Sequence, residues 1–304
     1  MLDAIIQGIL LGGYYAILAA GLSLMLGVTR FLNLAHGDLA VLAAYLIIYL
    51  VATWHMPILW AIVLMLPVMG LLGWALQAFL FARTMKGGFL LPLLTTFGLG
   101  AVIQNGIYGV FSSDVKSLGN FIGNLAWASW KLPGHISVGK LPVYIFVASV
   151  VVLVSLQLLL SFTKLGRAMR ATTLDEEAAE LSGIDARRIQ RATVAIAMVL
   201  AGLAGAALAM RSLINPYTGP TQLIFAFEAV VIGGIGSLWG TLAGGIVLGI
   251  AQSLGAKISP QLFQLFGHLV FLAVLWWRLK GSGSLGLGNL LRSLKGQSIK
   301  GESA

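Results

Sequence analysis

Of the 304 residues, 59% are hydrophobic and 10% charged, and the mean hydropathy is +0.95. Soluble domains are about 45–50% apolar and about 25% charged, so 19 basic and 10 acidic side chains are too few to clothe a soluble domain of this length. An ordinary cytosolic enzyme, a nucleic-acid module and a disordered chain are excluded, and the chain reads as all-α, a polytopic membrane bundle of about seven to nine segments.

The net charge of +9 and the pI near 10.0 fit the excess of Lys and Arg that cytoplasmic loops of membrane proteins carry better than they fit a nucleic-acid partner. The absence of cysteine excludes disulfides and thiolate metal sites. His36, His55, His135 and His268 show no metal-ligand spacing and no catalytic constellation emerges, so neither a metal nor a cofactor of the chain's own is expected. The opening Met1-Leu2-Asp3 lacks the positive start of a cleaved signal peptide, so the first apolar run is expected to persist as a helix.

A bilayer core of about 30 Å takes roughly 20 apolar residues per helix. In chain order the candidate spans are 4–26, 36–52, 58–82, 89–111, 141–162, 192–211 and 262–277. The stretch 223–256 is too long for one helix and is interrupted by Gly233-Gly234-Ile235-Gly236. It is expected to divide near 236–240, into two spans or two half-helices. Arg83 and Lys86, the basic residues of 163–191, and Arg278, Lys280, Arg292, Lys295 and Lys300 all fall on the cytoplasmic side if the N-terminus is outside and the crossings number seven or nine. The outer loop 112–140, with Lys116, Lys131 and Lys140, runs against that bias. Trp54, Trp60, Trp127 and Trp130 then mark the outer interface and Trp276 and Trp277 the inner one. Residues 1–277 form the membrane domain and 278–304 a basic, Gly/Ser-rich cytoplasmic tail. An internal echo relates Leu34–Ala40 to Leu238–Ala243, each preceding an apolar span.

Asp38 and Glu228 are the carboxylates embedded in apolar stretches, where a charge costs roughly 2.5–3.5 kcal/mol and marks a pathway or a pair. Asp38 follows Arg30, Asn33 and His36 and is expected near the cytoplasmic edge, paired with Arg30 or capping a helix. Glu228 is expected in the first turns of its span, facing a translocation cavity or the head groups. Thr95, Thr96, Gln104 and Asn105 either hydrogen-bond between helices, worth about 0.6 kcal/mol each, or meet the solute. Pro92 with Gly98 and Gly100 predicts an irregular helix. Gly236, Gly240 and Gly244, four apart, predict close helix packing. Gly134–Lys140 mimics a P-loop but continues into Leu141 with no strand before it. Gly281–Gly286 spells a dinucleotide fingerprint without a βαβ context. Neither carries weight, so the chain is not expected to hydrolyse ATP.

Residues 163–191 concentrate charge: Lys164, Arg167, Arg170, Arg187, Arg188 and Arg191 against Asp175, Glu176, Glu177, Glu180 and Asp185. Thr173 and Glu176 have capping-box spacing, the acids suit a first helical turn, and Gly183 suits a stop. A short helix over 174–182 is predicted, with Leu174, Ala178 and Leu181 at i, i+4, i+7. Such a stripe either lies against the chain's own membrane base or docks into a groove on a partner.

Glu177-Ala178-Ala179, then three residues, then Gly183, resembles the "EAA" cytoplasmic loop of ABC-importer permeases, without the Ile-x-Leu-Pro ending of the longer general pattern. Three further stretches resemble the branched-chain (hydrophobic) amino acid permease family: Gly21–Leu24 through Phe31–Asp38, Thr96–Leu99 with Gln104-Asn105, and Val230–Ser237 with Gly240. The resemblance covers about residues 4–277. It implies a permease subunit of an ATP-driven importer in a bacterial inner membrane, for branched-chain amino acids or related small polar solutes such as urea or amides. It also implies a second permease, two cytoplasmic ATPases that bind the ATP, and a soluble extracytoplasmic binding protein. The loop residues Leu174, Glu177, Ala178, Ala179, Leu181 and Gly183 would contact an ATPase. Asn33, His36, Asp38, Thr95, Thr96, Gln104, Asn105 and Glu228 would lie along the pathway. A stand-alone secondary transporter or channel using Asp38 and Glu228 is the alternative.

Overall fold

The computed structural model describes residues 1–88, 90–132, 136–278 and 280; the tail beyond them, with its glycine fingerprint, lies outside the described residues. The first four apolar helices are α1 (Leu2–Thr29), α2 (His36–Trp54), α3 (Ile58–Thr84) and α4 (Leu90–Phe111). A short antiparallel hairpin follows, β1 (Ser129–Leu132) with β2 (Ile136–Gly139), registered with Ser129 opposite Gly139. Next come α5 (Lys140–Phe162), then α6 (Lys164–Leu174) and α7 (Glu176–Leu181) in the charged loop. The chain then forms α8 (Ala186–Arg211), α9 (Gly219–Gly233), α10 (Leu238–Ile258) and α11 (Leu262–Arg278). Seven of these helices are long and apolar enough to cross a membrane, while α9 and α11 are apolar but shorter. The bundle is polytopic and all-α, the hairpin being its only sheet among the described residues.

Glycine decides what sits at the centre. α1 is the most enclosed helix, and its Gly8 and Gly12 meet α10 backbone to backbone: a Cβ on either would lie 2.5 Å from the Cα of Ile250 or Ile246. Lipid tails provide no hydrophobic drive between helices, so such van der Waals contact is what binds them. α8 fills the other side of α1, with a Cβ at Gly21 reaching 2.8 Å from the Ala197 carbonyl. On the rim, α5 turns Tyr144, Val147, Val151, Val154 and Leu158 outward, a large apolar face at helical spacing suited to lipid.

Hydrogen bonds and shared cavities bring the basic groups to one end of the bundle. Arg30, after α1, donates to the Thr173 carbonyl at 2.8 Å. Arg83, in the last turn of α3, shares a hollow with Glu176, Arg187 and Arg191, and Arg278 ends α11 beside the α9–α10 turn. That turn shares a cavity with Arg170. Trp54, Trp60, Trp127, Trp130, Trp276 and Trp277 are all exposed, as aromatic belts require.

Several expectations change. α4 is an unbroken helix from Leu90 to Phe111 despite Pro92, Gly98 and Gly100; Pro92 falls in its first turn, where no intrahelical donor is lost. Irregularity appears instead in α3, whose Gln77–Phe81 segment is π-helical. A strand does precede the P-loop mimic, whose Ile136–Gly139 portion forms the second strand of the hairpin, while its Gly134 and His135 lie outside the described residues. The stretch 223–256 divides at 234–237, where Gly234 (φ +96°) and Gly236 (φ +81°) take conformations that side chains avoid. Gly236 is therefore a turn residue and not a packing residue. Gly240 and Gly244 do pack: a Cβ on either would lie 2.2 Å from the Gly233 or Ala229 carbonyl of α9.

Candidate functional site

α1 ends at Thr29 and Arg30 adopts a left-handed conformation (φ 56°), turning the chain back. Phe31–Ala35 then runs without helix through the interior to α2. His36 Nε2 lies 3.1 Å from the Leu18 carbonyl, and its ring sits against Gly21. α2 thus starts roughly 12–16 Å back along α1, at 1.5 Å per residue. Non-helical backbone at such a depth is tolerated where protein covers it. The Leu34 N–H donates to Thr96 Oγ1 at 3.2 Å, and the Ala35 N–H to Asn33 Oδ1 at 3.0 Å.

Asp38 occupies the first turn of α2 and is 3% exposed. It is neither at the basic edge nor paired with Arg30, because the turn after α1 carries the two apart. Its Oδ1 accepts from Gln104 Nε2 of α4 at 2.9 Å. Two glycines let neighbouring helices close around the carboxylate. A Cβ at Gly100 would lie 2.6 Å from Oδ2, and one at Gly219 would lie 2.0 Å from Oδ1. The N-termini of α2 and α9 therefore meet beside one carboxylate inside the bundle, where negative charge is favourably placed for both helix dipoles. Broken helices meeting in this way are how transporters build polar sites within a membrane. Asn33 Nδ2 and His36 Nδ1 are buried beside the junction with no partner among the described residues.

The structure thus gathers Asn33, His36, Asp38, Thr96 and Gln104. It leaves out Thr95 and Asn105, whose side chains return to their own helix at the Leu91 and Ala101 carbonyls, both at 2.8 Å. Glu228 is separate as well, and lies well along α9 rather than in its first turns. It is 2% exposed, and Oε1 lies 2.5 Å from His268 Nδ1 of α11. Its partner escaped sequence reasoning, which weighed His268 only as a metal ligand; a histidine inside an apolar span was the available signal. Gly100 and Gly219 were missed as contacts of Asp38 because, unlike Gly240 and Gly244, neither stands in a four-residue glycine repeat.

The charged loop forms a second, exposed region. The helix cap is Asp175 and not Thr173: Asp175 Oδ1 accepts from the Ala178 N–H at 3.0 Å. Thr173 and Leu174 belong to the end of α6, where Thr173 Oγ1 bonds back to the Met169 carbonyl at 2.8 Å. Gly183 does stop α7. It has φ +84°, its N–H reaches the Glu180 carbonyl at 2.9 Å, and the Ile184 N–H reaches that of Ala179 at 3.0 Å, the paired bonds of a Schellman motif. Ala179 is buried and anchors the helix, and Gln190 Nε2 of α8 holds Glu176 at 3.0 Å. Leu174, Ala178 and Leu181 face outward, the two leucines 83% and 92% exposed. Beside them, Arg30, Asp175, Glu176, Glu177 and Glu180 line an open hollow of about 500 Å³.

Residues 4–275 match the profile of the family described as "Branched-chain amino acid transport system / permease component". The chain is 29% identical over 282 residues to BraD, a high-affinity branched-chain amino acid transport system permease protein of Pseudomonas aeruginosa, covering 88% of this chain and 92% of that one. It is 27% identical over 289 residues to the corresponding LivH of Escherichia coli K12, covering 90% and 92%. It is also 30% identical over 145 residues to LivM of the same organism, covering 46% and 33%. No solved structure matches the chain. With the profile spanning nearly all of the helical bundle, the chain belongs to the branched-chain amino acid transport permease family.

Proposed function

We propose that the chain is one membrane-spanning subunit of an ATP-driven importer in a bacterial inner membrane. It works with a second permease, two cytoplasmic ATPases that bind and hydrolyse the ATP, and a soluble binding protein outside. Branched-chain amino acids are the favoured solutes because the relatives matched over most of their length are named for them; urea or amides are the competing ones. Likeness to both LivH and LivM supports pairing with a homologous but different subunit.

One observation carries the reading: Leu174, at the rim of an acidic hollow, and Leu181 stand almost wholly exposed on a loop fixed from behind by Ala179. An anchored, capped helix with an outward apolar face suits a groove of basic rim on an ATPase. Movement of the ATPases would pass through α6 and α7 to Arg30, which leads directly into the interrupted entry of α2. The solute pathway runs by Asp38 and Gln104, with Asn33, His36 and Thr96 shaping it.

Uptake into cells or proteoliposomes holding the whole complex tests this. Glu177→Lys and Gly183→Pro are expected to abolish uptake while the chain stays in the membrane at normal abundance; normal transport by both variants refutes the coupling role. Uptake that stops when the ion gradient is collapsed with ATP kept high supports a secondary transporter instead.

A further inference from the structure

α9 has 15 residues, about 22 Å at 1.5 Å per residue and short of the roughly 30 Å of a bilayer core. Such a helix has its ends inside or near the apolar layer, where the first four N–H groups at its start and the last four C=O groups at its finish lack helical partners. At its start, Thr218 gives no side-chain cap and Pro220 has no N–H, but the Asp38 carboxylate abuts Gly219. At its finish, Arg278 Nη2 donates to the Ile232 carbonyl at 2.9 Å. Negative charge thus meets the positive end and positive charge the negative end, the favourable arrangement for the helix dipole. Between the two, Glu228 bonds His268 at 2.5 Å, and the Phe225 ring stacks on His268 at 6.4 Å between centroids. Arg278 and His268 both belong to α11. The turn after α9 is otherwise held by the Gly236 N–H on Ser23 Oγ at 3.0 Å, and it borders a cavity of about 250 Å³ shared with Met169 and Arg170 of α6.

We propose that α11 sets the position of α9, with Arg278 as the positioning residue at the turn and the Glu228–His268 pair as a second anchor. α9 is a rigid rod, so where Arg278 holds its last carbonyls decides how closely Gly219 sits on Asp38 at the other end. The inference rests on the proposed transport role for its consequence, not for its geometry, and the test separates them. Because the chain has no cysteine, a single Thr221→Cys in the first turn of α9 reports on that end by its rate of thiol labelling in native membranes.

Arg278→Gln in that background is expected to raise the labelling rate about tenfold by loosening the α9 terminus, and Arg278→Lys, which keeps the charge, to restore most of the protection. Glu228→Gln is expected to give a smaller rise. In the whole complex, Arg278→Gln is expected to raise the apparent KM for solute with a lesser change in Vmax, and Arg278→Lys to reverse it. Unchanged labelling in Arg278→Gln, or a rise that Arg278→Lys fails to reverse, overturns the proposal. Altered labelling in a complex that never transports solute leaves the positioning role standing and overturns the transport reading alone.

Discussion

Gly219→Ala tests the junction around Asp38 by adding a single methyl group. The new Cβ would lie 2.0 Å from Asp38 Oδ1 and 2.7 Å from the Asp38 Cα, against an ordinary non-bonded separation of about 3.5 Å. The carboxylate can swing away only by giving up Gln104, and the Cα cannot swing at all, so α2 and α9 must part by most of an ångström. Overpacking of this kind costs about 1–3 kcal/mol, with little offset, since Gly219 is the first residue of α9 and the roughly 0.5–1 kcal/mol that Ala gains over Gly belongs to helix interiors. Gly98→Ala is the matched control. It lies on α4, where nothing lies within 4 Å of the added Cβ, so it keeps the helical gain without the clash. Melting of the purified complex, followed by loss of its assembled state on heating, is expected to fall by several degrees for Gly219→Ala and to hold or rise for Gly98→Ala. Uptake is expected to drop only for the first. Equal behaviour of the two variants in both assays would refute the claim that close contact of α2 and α9 at Asp38 matters.

Three further outcomes are expected. Leu181→Asp, at a position 92% exposed, should leave the amount of chain in the membrane unchanged and abolish co-purification of an ATPase partner; retained co-purification argues against docking there. Asp175→Ala removes the cap of α7 and should cost about 1 kcal/mol of local helix stability, read as faster amide exchange at Ala178 and Ala179 with slower uptake. Asp38→Asn keeps an oxygen that can accept from Gln104 whereas Asp38→Ala leaves that amide unpaired, so uptake should decline from wild type to Asn to Ala; equal losses would give the weight to charge alone.

The spans were legible because each is a run of apolar residues of bilayer length, and the break at 234–237 because glycines cluster there. The depth at which α2 begins was not legible. It depends on His36 meeting the Leu18 carbonyl, a tertiary contact with no local signature. The start of α9 was misplaced because apolarity alone was followed, although Gly219-Pro220 carries the signal of proline in a first helical turn. Thr173 and Asp175 compete as caps within three residues. Asp175 wins because α6, begun by Thr163 accepting from the Gly166 N–H, already includes Thr173. Of the polar residues on α4, Thr96 and Gln104 face the junction and Thr95 and Asn105 do not. Spacing could not separate them, since α4 has no strongly polar side to set its rotation.

The bare stretch between α1 and α2 is a link with a fold in it: the His36 N–H closes a turn on the Asn33 carbonyl at 3.2 Å, and the Ala35 N–H meets Asn33 Oδ1 at 3.0 Å. A continuous helix would carry a displacement straight along its axis. A crank of this shape converts it, so movement of Arg30 reaches Asp38 as a swing about Asn33.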